Sequence, residues 1–309
     1  MGIPLINPPV PPPETASNVT FPGLGEVITS LMTGNTYTMG ERIGEGSFGV
    51  VFSCTDVWRN DLAAKVLKPV APYETLKAHA ESEFVKLLHL RNPFITFVYD
   101  AFEFRNTFFI ITERCHCPVA SLFALENFDG RHWIMPIARC LLQAIHYLHL
   151  NQFVHQDIHG GNVFAAFAKD EIFPEDQQKE SLHFKLGDLG VAKLFTEVNA
   201  QNTRAQWMLP PEVLNSQEFG PLDWHIDIYH ASLLLLQFAY SRELPFTREE
   251  ILVGRPRELA LSLPSPFNVA LEKALRRHVA FRTADAMELW RDLHIPAGAG
   301  GPNAEPGRT

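Results

Sequence analysis

The stretch His155-Gln156-Asp157-Ile158-His159-Gly160-Gly161-Asn162 sets an Asp and an Asn five residues apart, between the strand-type pairs Phe153-Val154 and Val163-Phe164. On a turn between short strands both side chains can face one pocket. The carboxylate can take a proton from a hydroxyl while the amide oxygen ligates Mg²⁺. Alone, the stretch also fits an ordinary polar turn rich in Gly and Asn. Its weight comes from three other places. Downstream, Phe184-Lys185-Leu186-Gly187-Asp188-Leu189-Gly190 ends a strand in a carboxylate that suits a second Mg²⁺ ligand. Upstream, Ile43-Gly44-Glu45-Gly46-Ser47-Phe48-Gly49-Val50-Val51-Phe52 puts three glycines between β-prone runs. Backbone N–H groups there can approach phosphate oxygens, with Val51 against a purine. Between them, Leu62-Ala63-Ala64-Lys65-Val66-Leu67 is an apolar strand with one Lys, costly unless paired or bound to an anion.

The elements that must position these groups follow from periodicity. A helical segment over about 73–90 carries Glu83 ahead of Leu87 and Leu90, a spacing that brings Glu83 to the apolar face, where it can pair with Lys65. Strands are expected over 95–102 and 107–112, joined at Phe104-Arg105-Asn106, with Glu113-Arg114-Cys115 as a short link whose backbone groups can meet a planar base. Apolar residues at helical spacing predict a helix over 133–150 that leads into the Asp157 turn. Residues 169–181 are charged and turn-rich and read as a solvated excursion from a hairpin. The most hydrophobic helix, 227–240, belongs at the centre of a helical body, with Asp227 buried and in need of donors. Further helices are expected over 249–253, 270–278 and 283–292.

Composition limits the alternatives. With 309 residues, 46% of them hydrophobic, the chain can build one large core or two small ones. A net charge of −9 with interspersed signs argues against a nucleic-acid partner held by phosphate contacts. Cys54, Cys115, Cys117 and Cys140 lack the paired spacing of a zinc module and read as free thiols in a reducing compartment, hence a cytoplasmic location. No secretory signal and no membrane span are visible, and Ile6 argues against myristoylation at Gly2. Residues 1–37, with Pro8-Pro9-Val10-Pro11-Pro12-Pro13, read as a flexible or polyproline II leader that an SH3-type partner could take. The Gly/Pro/Ala-rich 296–309 reads as a disordered tail.

Over about residues 38–295 the chain resembles a eukaryotic-type protein kinase. Six motifs stand in the family's order: the Gly-rich loop 44–51, Lys65, Glu83, an HRDxxxxN-like loop 155–162, a DFG-like 188–190 and an APE-like 210–212. The resemblance implies an α+β bilobal fold. A five-stranded antiparallel sheet with one helix would form an N-lobe over about 38–112. A hinge at 113–117 and a mainly helical C-lobe over about 118–295 would follow, with ATP between the lobes and a protein as substrate. It further implies roles for single residues. Ile43, Gly44, Glu45, Gly46, Ser47, Phe48 and Gly49 would cover ATP, and Lys65 held by Glu83 would bind its phosphates. Val51, Ala63 and Phe164 would sandwich the base, with Thr112 behind it and Glu113 and Cys115 at the hinge. Asp157 would be the catalytic base, and Asn162 and Asp188 would hold Mg²⁺. Glu212 would pair with Arg282, and Asp227 would brace the 155–157 turn. Leu87, Val98, His155 and Leu189 would form an internal apolar column.

The chain departs from the family in three places. Gln156 replaces the Arg that meets a phosphorylated activation segment, so no control by phosphate at Thr196 or Thr203 is expected. His159 stands in the seat of the Lys of serine/threonine kinases, where it can donate to the γ-phosphate or carry charge. Seven residues before Glu212, Ala205 takes the usual Thr position. The loop His159-Gly160-Gly161 lacks the Arg of tyrosine kinases, which favours Ser/Thr acceptors, while Trp207-Met208 ahead of Pro210-Pro211-Glu212 has a tyrosine-kinase flavour. The competing readings are a pseudokinase scaffold, a tyrosine-directed enzyme and a small-molecule kinase.

Overall fold

The computed structural model describes residues 19–46, 49–68, 78, 90–169, 180–189, 192–198 and 208–294. The chain divides into two compact units. Of the described residues, one unit takes those up to 68, residue 78 and Val98–Arg114; the other takes 90–97 and those from Cys115 on.

The first unit is an antiparallel sheet of β1 (Val27–Thr29), β2 (Thr36–Glu45), β3 (Gly49–Asp56), β4 (Asp61–Leu67), β5 (Val98–Phe104) and β6 (Thr107–Glu113), in the order β1-β2-β3-β4-β6-β5. Arg105 and Asn106 join β5 to β6 with positive φ at both (51° and 58°), the backbone of a tight hairpin whose twist matches its strands. Asp56 organises the turn between β3 and β4, its Oδ1 accepting from the N–H groups of Trp58 and Asn60, each at 2.9 Å. Side chains alternate between the two faces. Val50, Phe52, Leu62, Ala64, Val66, Phe109 and Ile111 point to one face and, with Ile28, Tyr37 and Phe102, form its core. Residues directly opposed across strands share a face, so the pairings Val51 with Lys65, Ser53 with Ala63, and Ala63 with Thr112 gather Val51, Ala63, Lys65 and Thr112 on the other.

Six strands stand where five were expected, and the added one lies in the predicted leader. Val27-Ile28-Thr29 pairs with Thr36–Thr38, and Ile28 is 1% exposed. A single buried side chain on a three-residue strand is too little alternation to register as a sequence pattern. The predicted helix over 73–90 falls, apart from Ala78 and Leu90, outside the described residues, as do the tail and the first 18 residues.

The second unit is mainly helical: α1 (Ile134–Leu150), α2 (Pro211–Leu214), α3 (Ser216–Phe219), α4 (His225–Ala239), α5 (Arg248–Val253), α6 (Arg255–Leu261), α7 (Phe267–Ala274) and α8 (Ala286–Asp292). Every residue of α4 from Ile226 to Phe238 is buried, the mark of a helix packed on all sides at the centre of a body. α6 was not legible in the sequence. Gly254, at φ 88°, closes α5 and Pro256 stands in the first turn of α6, where its missing N–H costs nothing. Two small sheets complete the unit. β7 (Cys117–Pro118), β9 (Val163–Lys169) and β10 (Glu180–Leu186) pair in the order β10-β9-β7, and β8 (Phe153–Val154) pairs with β11 (Lys193–Leu194). The β9–β10 ladder runs in full register from Val163 opposite Leu186 to Lys169 opposite Glu180. Lys169, Glu180 and Ser181, expected to be part of the excursion, thus belong to the ladder, and the rest of it, 170–179, lies outside the described residues.

Several boundaries differ from expectation: the helix expected over 270–278 runs Phe267–Ala274, and that expected over 283–292 begins at Ala286. The strand predicted over 95–102 begins only at Val98, and 90–97 belongs to the helical unit. The reason is backbone pairing: Thr96 N–H donates to Leu186 O at 2.9 Å, and Leu186 N–H to Phe94 O at 2.8 Å. All four cysteines are free thiols. Among the described residues no helix is long and apolar enough to cross a membrane.

Candidate active site

The helical unit builds its part of the site on Asp227. This carboxylate is completely buried at the start of α4 and accepts three hydrogen bonds. Its Oδ2 takes the His155 N–H at 2.8 Å and lies 2.9 Å from His149 Nε2, while Oδ1 takes the Gln156 N–H at 2.8 Å. Burial alone would raise its pKa, but the hydrogen bond and charge of His149, with His155, hold it below the usual carboxylate range. Two successive amides on one carboxylate fix the turn before Asp157. They also hold Gln156 at φ 68°, a left-handed conformation that a non-glycine residue keeps only when its surroundings impose it.

From this turn a hydrogen-bonded chain reaches the other loop residues. His155 is buried, with Nε2 at 3.0 Å from Gly187 O, and its Nδ1 accepts the Asp157 N–H at 3.3 Å. A carbonyl only accepts, so the ring is the Nε2–H tautomer. Gly187 N–H donates to Asn162 O at 2.8 Å. Asn162 spends its side-chain N–H groups on Asp157, at 2.9 Å to the carbonyl and 3.1 Å to Oδ2. Its Oδ1 is thereby left as the acceptor end of the amide. Gly187 has no room for a side chain: a Cβ would meet the Phe164 ring at 2.8 Å and the Thr96 methyl at 3.1 Å. Next to it, Asp188 is exposed at φ 56°.

The structure therefore brings Asp157, Asn162 and the strand end bearing Asp188 into one linked network. An amide oxygen and an exposed carboxylate are hard oxygen donors and fit Mg²⁺. Among the described residues no group of three or more His, Cys, Asp or Glu could hold a metal. A cation here would complete its shell with water or phosphate oxygens, as Mg²⁺ commonly does.

His159 lies beside Asp157. Its Nδ1 accepts the Gly161 N–H at 3.0 Å, which leaves Nε2 as the protonated nitrogen, 3.7 Å from Asp157 Oδ2. A Cβ on Gly161 would meet the ring at 2.8 Å, so this placement needs glycine. Burial pushes the Asp157 carboxyl up, but the hydrogen bond and electrostatic pull of His159 keep it below the usual carboxylate range. Asp157 is thus ionised at neutral pH. Its contribution to stability is present above the unfolded carboxylate value of about 3.9 and is lost as pH falls through the lower folded pKa.

The sheet unit carries the other predicted residues. Val51, Ala63, Lys65 and Thr112 share a face, with Gly44 opposite Val51. Gly49 is required by packing, since a Cβ would sit 2.9 Å from Val66 O. Ile43 is 45% exposed. Glu45 pairs with Lys68 and Arg42, and Lys68 Nζ also donates to Gly46 O at 2.9 Å, which ties down the glycine segment. Glu113 ends β6, whereas Cys115 and Phe164 belong to the helical unit. Ser47, Phe48, Glu83, Leu87, Gly190, Thr203 and Ala205 lie outside the described residues. Of the predicted apolar column, Val98, His155 and Leu189 are buried, each within its own unit.

Glu212 and Arg282 meet as expected. The guanidinium reaches the carboxylate through two bonds of 2.6 and 2.7 Å, with both side chains fully buried. Its other contacts go to the carbonyls of Arg276, Arg277 and His225 at 3.0, 3.2 and 3.3 Å. That makes five partners for five N–H donors.

The sequence matches the family model of the protein kinase domain over residues 37–274. The chain belongs to the protein kinase family. Its bilobal α+β class agrees with the antiparallel sheet unit and the helical unit. Among its curated relatives is the RAF proto-oncogene serine/threonine-protein kinase of Xenopus laevis, 27% identical over 231 residues. That stretch is 70% of this chain and 33% of the relative, so the kinase chain spans about a third of the relative's length.

Sequence reasoning missed two histidines of this kinase. His149 bonds Asp227, and His230 lies close enough to Asp157 and Asp227 to feel their charges. The available signal was a polar residue on an otherwise apolar helix, which when buried requires a partner. Also missed was an aromatic stack of Phe195 on Trp224 (5.2 Å) and Trp224 on His225 (5.2 Å), which seats the turn after β11 against the start of α4.

Proposed function

We propose that this kinase transfers the γ-phosphoryl group of ATP, with Mg²⁺, to serine and threonine hydroxyls of protein substrates. The observation that carries the reading is the Asp157 carboxylate: ionised, steadied by Asn162 and His159, and set on a turn that Asp227 clamps. Mg²⁺ held by Asn162 and Asp188 would neutralise charge on the nucleotide phosphates. Lys65, Val51, Ala63 and Thr112 are proposed to hold the nucleotide from the sheet unit, with Glu83 as partner of Lys65. Ile43, Gly44, Glu45, Gly46, Ser47, Phe48 and Gly49 would cover it, and Glu113, Cys115 and Phe164 would contact the base. A carboxylate with a lowered pKa is a weak base, so Asp157 serves first to orient the acceptor hydroxyl and takes its proton late. Two points support serine/threonine acceptors: the Arg-free run His159-Gly160-Gly161 and the similarity to a relative named as a serine/threonine-protein kinase.

We further propose that phosphate on the activation segment is not needed, because the buried Gln156 carries no charge to neutralise. The kinase domain is proposed to extend over about 38–295, with the Pro-rich leader open to an SH3-type partner. A cytoplasmic location fits the four free thiols.

MgATP at about 100 times its dissociation constant should stabilise the protein by ~2.7 kcal/mol in thermal melts, with a smaller shift for Asp188→Asn. An unshifted melt of the wild type would count against nucleotide binding. Incubation with labelled ATP, Mg²⁺ and mixed protein substrates should yield phosphoserine and phosphothreonine, and the Thr196→Ala/Thr203→Ala variant should keep most of this activity. Phosphotyrosine as main product would move the reading to a tyrosine-directed enzyme, nucleotide binding without transfer would make it a scaffold, and loss of activity in the double variant would restore phosphate control.

A further inference from the structure

Helix α4 presents two polar side chains a single turn apart, Asp227 and His230, both at 0% exposure. Asp227 holds the turn that leads to Asp157. His230 faces a different strand of chain: its Nε2 lies 3.1 Å from the carbonyl oxygen of Met208. Since that oxygen can only accept, Nε2 carries the proton and Nδ1 is bare. No hydrogen-bond partner for Nδ1 is found among the described residues. A buried imidazole on this helix is costly unless it is hydrogen-bonded, and its one made bond must account for it.

His230 also lies close enough to Asp157 to feel its charge, so the carbonyl it holds lies near the group proposed to orient the acceptor hydroxyl. Met208 and Leu209 are buried and lead into Pro210, Pro211 and Glu212. Glu212 is held by Arg282, whose Nη1 also reaches the His225 carbonyl at the first residue of α4. The stretch 208–212 is thus fastened at both ends to the helix that clamps the catalytic turn.

We infer that His230 is a positioning residue for the protein acceptor: by donating Nε2–H to the Met208 carbonyl it fixes the 208–212 stretch relative to Asp157. The inference rests on the protein kinase reading above. The two fastenings, Asp227 to the turn and His230 to Met208, sit three residues apart on one rigid helix. The spacing between the turn and the stretch before Glu212 is therefore set by helix geometry and not by loop conformation. Burial holds the ring below the usual imidazole range against the charges of Asp227, Asp157 and Glu212, so it stays neutral and keeps one bare nitrogen at neutral pH.

The test compares His230→Gln with His230→Met. These side chains match in length, and only Gln keeps a donor near the Nε2 position. In His230→Met the KM for a protein acceptor should rise about tenfold, the equivalent of one hydrogen bond, with the KM for ATP within about twofold. His230→Gln should stay within about twofold of wild type in both. Hydrogen exchange at the Met208, Leu209 and Val213 amides should quicken in the Met variant alone. Equal behaviour of the two variants in KM and exchange would reduce His230 to a space filler and overturn the inference. If wild type transfers no phosphate, the kinase reading fails, and the exchange data alone decide whether His230 holds Met208. If neither variant folds, ¹⁵N NMR of the wild-type ring decides: an Nε2–H tautomer is required, and protonation at Nδ1 overturns the bond.

Discussion

Asp157→Asn should lower phosphoryl transfer by about 10²–10⁴-fold, the scale of a single positioned proton acceptor, while nucleotide affinity stays close to wild type. The separation follows from where Asp157 sits. Its carboxylate contacts Asn162 and faces His159, and among the described residues these are its side-chain partners. The turn is held by Asp227 through the amides of His155 and Gln156, which Asn at 157 leaves in place. The variant should therefore fold and bind. The pH profile adds a check. Because the Asp157 carboxyl is held below its ordinary range, its protonation places an acid limb below the usual carboxylate range. A limb between pH 5 and 7 belongs to another group. Wild-type turnover by Asp157→Asn would show that some other residue orients the hydroxyl.

The largest effect on stability is expected at Glu212. Glu212→Ala strands the Arg282 guanidinium, fully buried, without its counter-charge, and removing one partner of a buried pair costs about 3–5 kcal/mol. Chemical denaturation should show that loss, a large share of the ~5–15 kcal/mol by which domains are usually stable. Arg282→Met should cost a similar amount for a different reason. It leaves the Glu212 carboxylate buried and the carbonyls of Arg276, Arg277 and His225 without their donor. The double variant Glu212→Leu/Arg282→Met removes both charges and should recover part of the loss, but not those three carbonyls. A Glu212→Ala protein within about 1 kcal/mol of wild type would mean that water reaches Arg282 and that the pair is not sealed.

Much of this protein could be read from its residues alone. The helices 133–150 and 227–240 appear almost as predicted, as Ile134–Leu150 and His225–Ala239, because each follows a repeat contained within one element. The strand around Lys65 and the hairpin at Arg105-Asn106 were legible for the same reason. The need of Asp227 for donors also followed from the sequence, since a carboxylate inside an apolar helix must be satisfied somewhere. Family resemblance, not spacing, supplied the pairing of Glu212 with Arg282, 70 residues apart.

What the tertiary structure alone decided are relations between segments that carry no local pattern. Ile28 becomes core because β2 lies beside it, and 90–97 joins the helical unit because Phe94 and Thr96 bond Leu186. The His159 ring turns toward Asp157 because Gly161 offers an amide and no side chain. His149 gains a role only when α4 brings Asp227 to it, and His230, on α4, only when Met208 packs against that helix, across 78 and 22 residues of chain. Hydrophobic period is a property of one segment and is written in its residues. A hydrogen-bond partner is a property of two segments, and only the packing that joins them determines it.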